Sequence, residues 1–243
     1  MTWCASIVFF LCPVLDVLLA GQTGALGSSA VTGSSVRIEL CRDGQGTSRG
    51  SLFDADGATV FSFPVGYGRK GWLEAGSRFR DGFSLLGKFR INAILAPGRC
   101  EMTPQLLQRS GKDEEYLRER LFLNMDSIDF DADGRGGEYG GGYLSLEPMV
   151  GQRNGKTRQV VQPFAFCEFK GVFRWYSFAI HGTQDASRVG RASTGGCINV
   201  GEQTLESLLA ILQLGDTVEI VSRSEPGAGQ SRDRSKDVEN ETH

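Results

Sequence analysis

The sequence predicts a mainly β chain of the α+β class, with a few short helices and a partly helical insertion. Three observations carry that expectation. Val36, Ile38 and Leu40 alternate with Arg37 and Glu39, the period-two pattern of a strand with one buried face. The β-prone runs Ser51–Phe53 and Ala58–Pro64 flank Asp54-Ala55-Asp56-Gly57, and an Asp-Gly pair between such runs signals a hairpin. Near the C-terminus Leu205, Leu208, Leu209 and Leu212 recur at helical spacing, Gly215 stops the helix, and Val218 and Ile220 share one face of a closing strand.

A chain of 243 residues with no internal repeat and no second hydrophobic pattern reads as one domain with appended ends. Residues 1–25 read as a secretory signal, because the apolar run Ala5–Ala20 precedes small and polar residues and is short for a membrane span. Residues 26–35 form a Gly/Ser/Thr-rich linker, 36–222 the domain, and 223–243 a polar tail without apolar spacing. No other apolar run is long enough to cross a bilayer, so the chain is expected to be exported, to a periplasm or cell envelope, with no stable membrane span once the signal is removed. A net charge of −3 argues against a nucleic-acid partner, which calls for a clustered basic face.

Glycine-punctuated loops follow Val65-Gly66-Tyr67-Gly68, and Ser84–Ile91 resumes a strand pattern. Residues 97–163 read as an insertion beside the cleft, with Thr103-Pro104 starting a helix and Ser110-Gly111 dividing two. Within it Asp129–Gly134 copies the opening half of a calcium loop, but the twelfth position is Gly140 and not the bidentate Glu, so the segment reads as a solvated turn. Phe164–Phe169 and Val172–Ile180 predict a hairpin turning at Lys170-Gly171, its second strand leading into His181. Of six cysteines, Cys4 and Cys12 fall in the signal. Cys41, Cys100 and Cys167 are expected as small buried side chains, and an exported chain could join one pair of them.

The chemistry concentrates in Phe178–Thr183 and Ser193–Val200. His181, the one histidine outside the C-terminal end, precedes a glycine-flanked Cys197 by sixteen positions. A thiol becomes a nucleophile when a neighbouring base takes its proton, and one histidine means one candidate base. Gly195 and Gly196 leave the backbone free to turn tightly and to aim N–H groups at one point, which is how an oxyanion is held. Zinc needs three or four protein ligands, and no third His, Cys or carboxylate stands at local spacing. No metal site is therefore expected.

These residues resemble the signature of the L,D-transpeptidases of the YkuD type, which carry Ile-His-Gly-Thr, a loop, and then Ser/Thr-His-Gly-Cys, a hydrophobic residue and Arg or Asn. Thr194, Gly196, Cys197, Ile198 and Asn199 fall on that pattern, while Gly195 stands where the family has a second histidine. Upstream, Pro64-Val65-Gly66-Tyr67-Gly68 and Ser84-x-x-Gly87-x-Phe89-x-Ile91 are similar to two further family stretches in the family's order, with Leu85 in place of proline. The closing helix and strand match as well. The resemblance implies a β-sandwich of mixed sheets, Cys197 as nucleophile and His181 as proton donor and acceptor. It implies a peptidoglycan stem peptide as substrate and no metal or organic cofactor. The Gly195 departure is expected to alter loop packing or substrate contacts more than the reaction itself.

Gly182, Thr183 and Ser193 are the local options for orienting the imidazole. Arg191 is a candidate partner for a substrate carboxylate, and Asn199 either binds substrate or braces the turn. Papain-like enzymes place cysteine before histidine, the reverse of this order. Sortases keep this order but place an arginine shortly after the cysteine, where the next one here is Arg223. An L,D-carboxypeptidase and a secreted wall-binding module with altered chemistry stand as the alternative functions.

Overall fold

Alternation sets the first strands where the sequence put them. The structure, a computed structural model, describes residues 33–42, 46–129, 134, 136–149, 151–153, 156–158 and 166–223. The expected signal at 1–25, most of the linker, the middle of the Asp129–Gly134 turn and the tail beyond Arg223 lie outside the described residues.

Among the described residues the main sheet has nine strands: β1 (Ser35–Leu40), β2 (Arg49–Phe53), β3 (Thr59–Pro64), β4 (Gly87–Ala96), β5 (Arg99–Met102), β6 (Tyr143–Pro148), β7 (Ala179–Thr183), β8 (Ile198–Gly201) and β9 (Thr217–Ser222). They run β8-β7-β6-β4-β9-β1-β2-β3 across the sheet, with β5 paired to β4. β1 is parallel to β9 and β7 to β8, and the remaining pairs are antiparallel. The two ends of this path meet. Gly66, two residues past β3, exchanges backbone hydrogen bonds of 2.9 and 3.1 Å with Asn199 on β8. The sheet thus folds over on itself around Val36, Ile38, Phe89, Ile180, Ile198 and Ile220, in agreement with the expected sandwich of mixed sheets.

Local chemistry explains the joints. In the β2–β3 hairpin Asp54 Oδ1 accepts from the N–H groups of Asp56 and Ala58, and Gly57 takes φ 81°. The closing helix, α4 (Glu202–Ile211), buries Leu205 and Leu208 in the core, Leu212 follows into it, and Gly215 at φ 94° turns the chain into β9. On β1 and β9 the exposed positions pair by charge across strands, with Arg37 Nη1 2.5 Å from Glu219 Oε2.

A second core lies on the other face of β4, β6 and β7. It is built by α1 (Pro104–Ser110), α2 (Glu114–Tyr116), a π-helical turn at Leu117–Leu121 and α3 (Phe122–Asp126). Gly111 ends α1 at φ 64°, and Asp113 caps α2 by accepting the Tyr116 N–H at 2.7 Å, which gives the helix break expected at Ser110-Gly111. β4 serves both cores through a bulge between Ile91 and Ala93. Phe89 and Ile91 enter the first core, and Ala93 and Leu95 the second.

Two expectations need correction here, and segment 97–163 supplies two strands of the sheet, β5 paired with β4 and β6 between β4 and β7. β6 is buried on both faces, Tyr143 in one core and Leu144 and Leu146 in the other, so the polar face that marks a half-buried strand is missing. The hairpin Phe166–Phe169 with Val172–Trp175 does turn at Lys170-Gly171, with φ 52° and 73°, but its second strand ends at Trp175. His181 lies on the separate β7. Finally, Cys41 and Cys100 are buried as expected, whereas Cys167 is exposed and all four described cysteines are free. Cys167 pairs with Arg174, whose neighbours Phe173 and Trp175 take the inward positions, so period two turns the thiol outward.

Candidate active site

Register brings the two chemical groups to one face. β7 and β8 are parallel with Ile180 opposite Ile198 and His181 opposite Asn199. Ile180, Ile198 and Val200 fill the first core, so the odd-numbered neighbours Ala179, His181 and Cys197 belong to the other side of the sheet. Cys197 immediately precedes β8, and His181 is the middle residue of β7. Both line a cavity of about 620 Å³, a size suited to a peptide segment.

The imidazole is oriented by its own strand. Nδ1 lies 2.6 Å from the Gly182 carbonyl oxygen. A carbonyl can only accept, so Nδ1 carries the proton and Nε2 keeps its lone pair. Of the three orienting options, Gly182 is thus the one that meets the ring. Thr183 Oγ1 accepts from the Asp185 N–H at 3.2 Å, and the Ser193 hydroxyl donates to the Arg188 carbonyl at 2.9 Å. Tyr139 stands edge-on to the His181 ring at 4.9 Å, and Tyr143 stacks on it at 6.4 Å. Burial among these rings holds the His181 pKa down to about 4, opposed by the Gly182 bond and reinforced by the Arg188 guanidinium. Burial likewise pushes the Cys197 thiol up to about 12, against the Ala179 N–H that favours its thiolate. Both groups are neutral at rest.

One pH dependence follows with a definite sign. The unfolded chain binds a proton at His181 near pH 6.5 and the folded chain only near 4, so this site stabilises fully above about pH 6.5 and loses its contribution as pH falls toward 4. Urea titrations at pH 7 and pH 4 are expected to differ by about 3 kcal/mol more in the unmodified protein than in His181→Gln. Equal losses in the two proteins would contradict the buried, neutral imidazole.

The Cys197 loop is clamped from one side. Thr194, Gly195 and Gly196 carbonyls accept from Arg69 N–H (2.9 Å), Gly82 N–H (2.7 Å) and Ser84 Oγ (2.7 Å). Thr194 Oγ1 donates to the Cys197 carbonyl at 2.6 Å and accepts the Gly196 N–H at 3.1 Å, which closes the turn internally. Gly196 adopts φ 141°, whereas Gly195 is exposed.

Other expected site residues fall elsewhere. Arg191 is exposed and off the cavity wall, its carbonyl accepting the Tyr67 N–H. The cations on the wall are Arg69, paired with Asp81, and Arg188, whose Nη1 lies 2.7 Å from Glu138 Oε2. Asn199 is buried against Gly66 and off the cavity, so bracing is what its position offers. Tyr139, Tyr143 and Ser177 were not singled out from the sequence. The readable signal was Gly136–Gly142, since glycines permit close backbone approach. A Cβ on Gly140 would lie 1.9 Å from Glu202 Oε1, and that tight seat fixes Tyr139 against His181.

A thiol and a singly protonated imidazole thus share one cavity wall, beside a glycine turn, on a folded-over β-sheet. The model of the L,D-transpeptidase catalytic domain family, YkuD, matches residues 47–220, and the chain belongs to that family. Similar solved structures include an L,D-transpeptidase of Xylanimonas cellulosilytica, with 13% identity, TM-score 0.36, and coverage of 79% of this chain and 62% of that one. Bdellovibrio bacteriovorus Bd1075 has 15% identity, TM-score 0.38, and coverage of 76% and 47%. An L,D-transpeptidase of Mycobacterium smegmatis has 14% identity, TM-score 0.33, and coverage of 78% and 59%. The chain therefore spans less than two thirds of each of these. No curated protein sequence matches it.

Proposed function

We propose that the chain is a cysteine-dependent L,D-transpeptidase acting on peptidoglycan stem peptides. The observation that carries this reading is the His181 tautomer, whose Nε2 lone pair is left for the cavity that Cys197 also lines. His181 Nε2 takes the thiol proton as the sulfur attacks the carbonyl of an L-to-D peptide bond. The Gly196 N–H is engaged by Thr194, which leaves the N–H groups of Gly195 and Cys197 to hold the oxyanion. The C–N bond breaks, the imidazolium returns its proton to the leaving amine of the D-residue, and a thioester remains. The amine of a second stem then displaces the sulfur and forms a 3→3 cross-link; water in its place would shorten the stem. No step calls for a metal or an organic cofactor.

This activity needs the chain outside the cytoplasm, as the signal-like residues 1–25 suggest, and no described helix is long and apolar enough to cross a membrane. The test is incubation of the purified chain with peptidoglycan and mass analysis of the muropeptides. New 3→3 dimers are expected. Shortened stems alone would assign the carboxypeptidase reaction, and unchanged muropeptides with no carbapenem adduct on Cys197 would favour a wall-binding module.

A further inference from the structure

Behind Cys197 a buried hydroxyl network has one possible direction. Tyr143 Oη lies 2.6 Å from the Ser177 carbonyl, 3.0 Å from the Ser177 N–H and 3.0 Å from Ser177 Oγ, and Ser177 Oγ lies 2.6 Å from Ser145 Oγ. The carbonyl cannot donate and the N–H cannot accept, so the Tyr143 proton goes to the carbonyl. Ser177 then donates to Tyr143, and Ser145 to Ser177. All three residues are buried, Tyr143 and Ser145 at 0% exposure and Ser177 at 3%. The carbonyl at the end of this chain is the one that Cys197 Sγ meets, at 3.7 Å.

We propose that Tyr143 and Ser177 form a positioning device for Cys197, in which the phenol draws electron density from the Ser177 carbonyl so that this oxygen neither holds the thiol tightly nor repels the thiolate. This rests on Cys197 being the nucleophile. A carbonyl with two donors shares its acceptor strength between them, and a polarised chain ending on it favours the phenol. Without the phenol proton, the thiol becomes the sole donor, turned toward Ser177 and away from His181. An unrelieved carbonyl dipole also opposes the negative sulfur. The other ionisable groups around the thiol are the His181 ring, the phenols of Tyr139 and Tyr176, and the ion pairs Arg69–Asp81 and Arg188–Glu138. Removing one oxygen from Tyr143 leaves all of these groups in place.

The test is the pH profile of iodoacetamide alkylation at Cys197 in the whole protein, read by peptide mass, with exposed Cys167 as internal reference. In Tyr143→Phe the Cys197 profile is expected to move up by about one pH unit and the neutral-pH rate to fall about tenfold, with Cys167 unchanged. Ser177→Ala, which keeps the phenol on the carbonyl but removes the hydroxyl that polarises it, is expected to shift the profile by less than half as much. Imipenem acylation of Tyr143→Phe should slow in the same proportion. An unshifted profile in Tyr143→Phe, or equal shifts in both variants, would overturn the proposal while leaving the nucleophile intact. Absence of any imipenem adduct on the unmodified protein would overturn the nucleophile itself and this inference with it.

Discussion

Cys197→Ala is expected to lower formation of cross-linked or shortened stems by at least about 10⁴-fold, and to abolish the acyl adduct altogether. The size follows from what is lost. Removing a nucleophile leaves only binding and the oxyanion donors, which supply a minor part of the rate. The fold should survive, since a half-buried thiol on a loop held by Arg69, Gly82 and Ser84 contributes little packing. Muropeptide analysis beside a urea titration checks both halves. Wild-type turnover in the variant would sink the role of Cys197, and loss of turnover with loss of folding would leave Cys197→Ser to decide. Cys167→Ala provides the contrast: that thiol sits exposed on the 166–175 hairpin and should be dispensable.

The neutral resting pair shapes this chemistry further. A preformed thiolate would require the proton to pass from a thiol that burial holds up to an imidazole that burial holds down, an uphill transfer. Proton transfer is therefore expected to accompany attack, with the oxyanion donors compensating charge as it develops. The Gly182 bond fits that timing, because it strengthens when the ring becomes positive.

Legibility in the sequence followed burial geometry. β1, β2, β3, α4 and β9 each have one core face and one wet face, so their periods were plain. β6 and β7 are buried on both sides, so Tyr143–Pro148 was not read as a strand and His181 was assigned to the end of a longer one. The Cys197–His181 pair was legible because it is carried by residue types and a local glycine turn. Arg188, Glu138, Tyr139 and Ser177 were not, because they reach the cavity from different elements and no local pattern records that convergence. Arg191 illustrates the same limit: three positions from Arg188, it faces solvent.

The adjacent glycines of the turn are expected to respond very differently to one added methyl group. At Gly196 φ is 141°, a conformation that L side chains rarely adopt, and a Cβ would stand 2.8 Å from the Phe79 ring and 2.8 Å from the Phe83 carbonyl. The ring could shift, but the carbonyl is backbone, so Gly196→Ala should cost about 3 kcal/mol and pull Cys197 out of register with His181, with turnover falling at least about 10²-fold. At Gly195 a Cβ would meet only Asp81 Oδ1 at 3.6 Å and Arg69 Nη1 at 3.8 Å, ordinary contacts at an exposed residue. Gly195→Ala should therefore stay within about 0.5 kcal/mol of the unmodified protein. Thermal melts and muropeptide assays on the pair check both, and equal destabilisation would contradict the turn geometry. The two positions thus have separate tasks: 195 has open space on the cavity wall beside the Arg69–Asp81 pair, while 196 sets the backbone that carries the sulfur.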